Sequence, residues 1–200
     1  MEKAKTYIII GRSGSGKGTQ LQLLKTYLET TYPETRTQTY VCGDAFRAFF
    51  KEETVFSKKA QQITNAGHYQ PDFLATTLLF RDFIFDSINT EDHLLFDGYP
   101  RSVQQLKDIK ELLVYVGCTD IIFIDIVVSK DAVTERMLKR ARADDTTESI
   151  AKRQEEFDRA IVPMIEAIKK DTTVSYVSVD GMPAPEVVHQ NVLQALETLI

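Results

Sequence analysis

Residues 11–20, GRSGSGKGTQ, combine several glycines with one lysine directly after an apolar run that ends at Ile10. The glycines let the backbone turn with its amides pointing inward, and the N-terminus of a following helix adds partial positive charge. Lys17 supplies a mobile cation for the outer phosphates of a nucleotide. A strand, a glycine loop and a leucine-periodic helix in this order predict a phosphate-binding loop, which we prefer to a glycine-rich turn that only links two elements.

A second motif, LLFDGYPRSVQQ at residues 94–105, contains an aspartate at the end of an apolar run. Ligands of open α/β sheets bind at the carboxyl ends of the strands, so Asp97 is expected to face a ligand. A carboxylate there favours a cation, and Mg²⁺ shared with nucleotide phosphates would be held through water because it dehydrates reluctantly. The alternative is an aspartate that caps the next helix.

Two arginines follow strand ends, Arg101 in this motif and Arg47 in the segment CGDAFR at residues 42–47. Their positions favour a shared anionic ligand, since the planar guanidinium binds phosphate in bidentate fashion. The alternative is that both lie in surface salt bridges. Gln105 offers an amide that can donate to and accept from the edge of a base.

A third cluster of cations lies between residues 136 and 153. Arg136 and Arg140 are four residues apart and share one face of a predicted helix, whereas Arg142 precedes two aspartates and Arg153 lies in the next helix. A solvated charged surface is the default interpretation of such a run.

Five short apolar runs rich in β-branched residues predict buried strands. They cover residues 7–10, 39–41, 93–96, 120–128 and 174–179. Longer stretches with helical spacing alternate with them, so we predict a doubly wound α/β fold with a five-stranded parallel sheet of the P-loop NTPase kind. A helical insertion from about residue 43, interrupted at Asn65, Gly67 and Pro71, and a short lid at about 136–147 complete one domain spanning residues 1–200.

Composition excludes several classes of protein. A hydrophobic fraction of 43% and a charged fraction of 26% are typical of a folded globular chain. A formal charge of −5 argues against a basic protein that coats nucleic acid. Cys42 and Cys118, without CxxC spacing, exclude a disulfide framework and suit a reducing compartment. No window reaches the roughly 20 apolar residues of a membrane span, and we expect a cytoplasmic protein with no membrane or nucleic-acid partner.

Together these motifs resemble those of adenylate kinases and related nucleoside monophosphate kinases. The loop GxxGxGKGTQ, the DGYPRxxxQ segment and the RxDD sequence with an arginine eleven residues after its first carry the resemblance, which extends over nearly the whole chain. Two positions depart from the family pattern. Ser13 stands where the family usually has proline, and Cys42 stands where adenylate kinases usually have threonine and pyrimidine kinases alanine.

The resemblance implies transfer of the γ-phosphoryl group of Mg-ATP to AMP, giving two ADP, by a monomer whose ligands are ATP, AMP and ADP. It assigns ATP binding to Gly14, Ser15, Gly16, Lys17, Gly18, Thr19, Arg136, Arg140 and Met182. It assigns AMP binding, in the insertion of about residues 43–72 and nearby, to Cys42, Arg47, Tyr69, Gly98, Arg101, Gln105, Arg142 and Arg153. The catalytic set is Lys17, Arg101, Arg140, Arg142 and Arg153, with Asp97 holding Mg²⁺ through water.

Two alternatives remain open. The first is a UMP or CMP kinase, although Gln105 favours adenine because pyrimidine kinases commonly carry asparagine at the matching position. The second, from another class, is a nucleotide-binding switch without turnover. It lacks support because the sequence contains no NKxD guanine-reading motif and because the lid arginines would then have no role.

Overall fold

The computed structural model describes residues 4–85, 88–140 and 145–199, and it contains a five-stranded parallel sheet. Its strands are β1 (Thr6–Ile10), β2 (Thr37–Val41), β3 (His93–Asp97), β4 (Ile121–Val127) and β5 (Ser175–Asp180). They lie side by side in the order β2-β3-β1-β4-β5. The predicted fold class is therefore confirmed. β2 begins two residues before the predicted run, because polar Thr37 and Gln38 also pair with β3.

Helices connect the strands and cover the sheet. They are α1 (Lys17–Thr31), α2 (Cys42–Phe50), α3 (Val55–Asn65), α4 (Asp72–Leu79), α5 (Val103–Tyr115), α6 (Lys130–Arg140), α7 (Thr147–Glu156), α8 (Val162–Lys169) and α9 (Pro185–Glu197). Two π-helical turns, Phe80–Ile84 and Phe157–Ile161, follow α4 and α7 directly. None of the described helices combines the length and the apolar composition that crossing a membrane requires.

The sheet is buried on both faces, which explains why its strands are almost continuously apolar. Successive side chains of a strand point to opposite faces, so Ile8 and Ile10 join one core cluster and Tyr7 and Ile9 join the other. The same alternation divides Phe96 from Leu95 in β3. The two clusters hold β1 rigidly in the middle of the sheet, directly before the glycine loop.

Strand register brings the functional segments to one edge. Val41 and Ile9 both pair with Asp97, and Ile10 pairs with Asp125 on the other side of β1. The segments that follow β1, β2 and β3 therefore begin beside one another, at the carboxyl edge where ligands of such sheets bind.

Between β2 and β3, in the region of the predicted helical insertion, the chain forms α2, α3 and α4. The interruption expected at Asn65, Gly67 and Pro71 is confirmed, since α3 ends at Asn65 and Pro71 directly precedes α4. An earlier break, between Phe50 and Val55, carries no glycine or proline and was not predicted. There Thr54 caps α3 by accepting a hydrogen bond from the Ser57 amide at 3.1 Å.

Candidate active site

The glycine loop turns sharply into α1 and holds its lysine against the backbone. Gly16 has φ of +98° directly before the helix, a conformation that favours glycine. The Lys17 ammonium donates to the carbonyl oxygens of Gly11 at 3.0 Å and Arg12 at 2.9 Å. Burial lowers the pKa of Lys17 to about 8, against the opposing effect of the Asp97 carboxylate. Burial therefore disfavours the charge of Lys17, and its carbonyl partners do not neutralise it. An anionic ligand would stabilise this cation more strongly than the two carbonyl oxygens do.

A small cleft opens above the loop, and it draws its walls from three of the predicted motifs. It is lined by Ile9, Ile10, Gly11, Ser13, Lys17, Tyr69, Gly98, Pro100, Arg101 and Ile161. The phosphate-binding loop, the insertion and the DGYPR segment therefore meet at one place. The loop also buries the hydroxyl of Ser15, which has no hydrogen-bond partner within the part of the chain that the structure describes.

Arg101 reaches this cleft from the turn after β3. Its Nε donates to the Gly98 carbonyl at 2.7 Å, and its guanidinium carbon lies 5.0 Å from the centre of the Tyr69 ring. Gly98 has φ of +78°, a conformation that favours glycine, and a Cβ there would lie 2.8 Å from the Arg101 guanidinium and displace it. Arg101 and Lys17 thus line the same cavity, each held by main-chain carbonyl groups.

Gln105 is buried and its amide is fixed at both ends. Its Oε1 accepts from the Arg101 backbone amide at 2.7 Å, and its Nε2 donates to Asp72 Oδ1 at 2.8 Å. The Ser102 hydroxyl donates to the same carboxylate oxygen at 2.9 Å. The role of Asp72 was not predicted, because an aspartate directly after a proline at a helix start is typical of a simple terminus residue.

Asp97 ends β3 beside the start of α1. A Cβ on Gly18 would lie 3.7 Å from the Oδ2 of Asp97. The charge of Asp97 partly offsets the effect of burial, which lowers the pKa of Lys17 overall. The alternative of a helix cap is wrong, because Ser102 caps α5 by accepting from the Gln105 amide.

The donor set also fits a shared magnesium ion. Among residues 4–85, 88–140 and 145–199, no group of three or more His, Cys, Asp or Glu side chains is arranged to hold a metal. A single carboxylate suits Mg²⁺, which usually keeps several waters and is bound by one or two carboxylates together with phosphates.

Two of the arginines between residues 136 and 153 share one carboxylate. The side chain of Asp145 is fully buried, and its carboxylate accepts from Arg153 at 2.9 Å and from Arg140 at 2.9–3.1 Å. Arg136 lies apart from this pair, and its guanidinium donates to the carbonyl oxygens of Gly181 at 3.0 Å and Met182 at 3.1 Å. The structure therefore brings Arg136 to Met182, and Arg140 to Arg153. Arg142 and Asp144 lie outside the described residues.

The remaining predicted residues lie around the cleft without lining it. Arg47 is about half exposed and pairs with Asp44 on α2. Cys42 is buried beside Gly98, and burial raises the pKa of its thiol against the opposing effect of Arg101. Gly18 and Thr19 are exposed in the first turn of α1, and Gly14 packs against Val133 and Met137 of α6.

Known proteins resemble this chain over nearly its full length. The family model described as "ADK: Adenylate kinase" matches residues 9–173. A protein named adenylate kinase from Nocardioides sp. is 32% identical over 196 residues, which cover 96% of this chain and 97% of that protein. One of the same name from Leifsonia xyli is 35% identical over 185 residues, covering 90% and 87%, and one from Bacteroides thetaiotaomicron is 29% identical over 196 residues, covering 96% and 98%.

Proposed function

The chain belongs to the adenylate kinase family, and from that premise we propose that it transfers the γ-phosphoryl group of Mg-ATP to AMP, giving two ADP. The observation that carries the proposal is the meeting of Lys17 and Arg101 in one cleft, beside the carboxylate of Asp97. An oxygen of the AMP phosphate attacks the γ-phosphorus, and the bond from that phosphorus to the bridging oxygen breaks, so that both products are ADP.

The chain's contribution to this reaction is positioning and charge. The acceptor phosphate is already anionic, so no general base is required. Lys17 would exchange its two carbonyl partners for phosphate oxygens of ATP, and Ser15 would gain the hydrogen-bond partner that its buried hydroxyl lacks in the described part of the chain. Arg101, which lines the same cleft, would bind the phosphate of AMP.

The lid arginines would complete the charge around the transferring group. Arg140 and Arg153 are stored on Asp145 and would turn toward the phosphoryl group, together with Arg142. Arg136 and Met182, which contact each other, would bind the base of ATP, and Arg47 would leave Asp44 for the AMP phosphate. Asp97 would hold Mg²⁺ through water, and the bound ion supplies neutralisation of phosphate charge.

The hydrogen bonds of Gln105 fix which end of its amide donates, and this would let the site distinguish adenine from uracil. Its Oε1 accepts from Arg101 and its Nε2 donates to Asp72, which fixes the orientation of the amide. Oε1 can still accept one more hydrogen bond, and Nε2 can still donate one. Adenine offers a donor at N6 beside an acceptor at N1, whereas uracil offers an acceptor at O4 beside a donor at N3. A fixed amide therefore cannot serve both bases equally.

The insertion of about residues 43–72 would close over AMP and the segment of about 136–147 would close over ATP. The chain would act as a monomer. Two buried free cysteines suit the reducing conditions of the cytoplasm.

An acceptor assay tests the proposal. ATP and magnesium are offered with AMP, CMP, UMP or GMP in turn, and nucleoside diphosphate formation is followed. We expect AMP to exceed UMP in kcat/KM by at least about tenfold, the effect of one mismatched buried hydrogen bond. A preference for UMP or CMP would identify the chain as a pyrimidine nucleotide kinase. Binding of ATP without transfer to any acceptor would identify it as a nucleotide-binding switch without turnover.

A further inference from the structure

Arg12 lies inside the phosphate-binding loop, but its guanidinium is bound to a distant part of the chain. Nη1 donates to the side-chain oxygen of Gln154 at 3.0 Å, and Nη2 pairs with Asp158 at 2.5 Å. The guanidinium carbon also lies 4.3 Å from the centre of the Phe157 ring. With only 15% of its side chain exposed, Arg12 is held on three sides by the segment that follows the lid.

The backbone of Arg12 is equally engaged, on the side of the phosphate site. Its carbonyl oxygen accepts from the Lys17 ammonium at 2.9 Å and from the Ser15 amide at 3.1 Å. A displacement of Arg12 would therefore move the oxygen that positions Lys17, and it would disturb the turn that carries the loop amides.

The partners of the guanidinium form one coherent surface. Gln154, Phe157 and Asp158 are spaced by three and four residues, the spacing at which helical side chains are neighbours. The chain passes there from α7 into a π-helical turn, a feature that often occurs at functional sites. Burial raises the pKa of Asp158, but hydrogen bonds from Lys130 and Arg12 lower it overall, so the carboxylate stays ionised near neutral pH.

This surface is adjacent to a lid cation. Arg153 directly precedes Gln154 on α7 and is itself bound to Asp145. Arg12 therefore links the loop that holds Lys17 with the helix that holds Arg153, and these two cations come from segments more than 130 residues apart in the sequence.

We propose that Arg12 is a positioning residue that fixes the spacing of Lys17 and Arg153 across the transferring phosphoryl group, an inference that rests on the proposed function. In this role Arg12 binds no ligand. It sets the distance between two groups that do, and an error of about 1 Å in such a distance can reduce a rate by about a hundredfold.

Steady-state kinetics of three variants test this role. Arg12→Met keeps the apolar stem and removes the guanidinium, and we expect kcat to fall about tenfold to a hundredfold while both KM values change by less than about threefold. Arg12→Lys should recover part of kcat, because an ammonium can pair with Asp158 but cannot form the fork to Gln154 as well. Lys130→Ala is the matched control, because Lys130 pairs with the other carboxylate oxygen of Asp158 at 2.5 Å. Its kcat should stay within about twofold of that of the parent chain.

A spectroscopic readout separates the inference from the proposed function. In ¹⁵N–¹H spectra of the ligand-free chain, Asp158→Ala should shift the amide signals of Gly14, Gly16 and Lys17, whereas Lys130→Ala should leave them in place. If the parent chain transfers no phosphoryl group, the proposed function fails, and these spectra still decide whether the link exists. The inference is overturned if Arg12→Met loses thermal stability but retains kcat, or if Asp158→Ala leaves the loop signals unmoved.

Discussion

The cations around the cleft are held in two different ways. Lys17 and Arg101 donate to main-chain carbonyl oxygens, whereas Arg140 and Arg153 pair with the Asp145 carboxylate and Arg47 pairs with Asp44. A carbonyl orients a cation without neutralising it, whereas a carboxylate removes most of its field. The first group is therefore preorganised for an anion, and the second group must exchange one anion for another before it can act.

The largest effect should come from removing a cation of the preorganised group. Lys17→Ala should lower kcat by about a hundredfold to a thousandfold, the range observed when one preorganised contact to a developing charge is deleted. Lys25→Ala, on the same helix, removes an exposed ion pair with Glu29 at 3.8 Å, and its kcat should stay within about twofold of that of the parent chain. Initial rates of ADP formation at saturating ATP and AMP provide the measurement. Equal rates for the two variants would remove Lys17 from the mechanism.

The two carboxylates that store arginines should differ in their effect on stability. Asp145→Ala leaves Arg140 and Arg153 without their buried partner and should lower the free energy of unfolding by about 3 kcal/mol. Asp44→Ala breaks a pair in which both side chains are more than half exposed, and it should cost less than about 1 kcal/mol. Urea unfolding followed by circular dichroism compares them. Similar losses would mean that Asp145 is not the anchor of the lid arginines.

The charge of Lys17 should be visible in the pH dependence of ATP binding. Burial lowers its pKa to about 8, so the cation is present below that pH and is lost as the pH rises through it. We expect kcat/KM for ATP, which reports the free enzyme, to fall by about tenfold per pH unit above pH 8. The fall in kcat should begin at higher pH, because bound phosphate favours the charged amine. A flat kcat/KM profile from pH 7 to 9.5 would contradict this interpretation.

The smallest effect concerns a neutral group held by a carboxylate. Asp72→Ala should remove the hydrogen bond that holds the nitrogen end of the Gln105 amide, so that the amide can rotate. The kcat/KM preference for AMP over UMP should then fall by about threefold to tenfold, equivalent to one hydrogen bond. Asp72→Asn keeps an oxygen that can accept from Gln105 and should preserve the preference. The ratio of kcat/KM values for the two acceptors gives the answer, and an unchanged ratio in both variants would make Asp72 a purely structural residue.

The sequence was sufficient for the fold because its signals were local. Apolar runs such as residues 93–96 can be buried on both faces only in a covered parallel sheet, and Gly16 marked the turn into α1. The residues at the carboxyl edge followed from topology alone, since parallel strands end together. Hence Lys17 and Arg101 could be expected in one cleft.

The partners of the site residues could not be read in the same way. The pairing of Asp145 with Arg140 and Arg153 spans only five and eight residues, but the contact of Arg136 with Met182 and the anchoring of Arg12 join segments far apart in the chain. Such pairs depend on tertiary packing, for which residue type and spacing give no signal. The position of Arg47 on Asp44 shows the same limit, because an arginine after a strand end can face a ligand site or a nearby carboxylate.

³¹P NMR of the chain mixed with magnesium, ATP and AMP follows both reacting phosphate groups at once. If Lys17 and Arg101 bind the two phosphate groups that react, the ATP β-phosphorus and AMP signals should fall together as the two ADP signals rise. Lys17→Ala and Arg101→Ala should each slow this exchange by about a hundredfold. Disappearance of ATP with release of inorganic phosphate and an unchanged AMP signal, or exchange at the parent rate in both variants, would contradict the account.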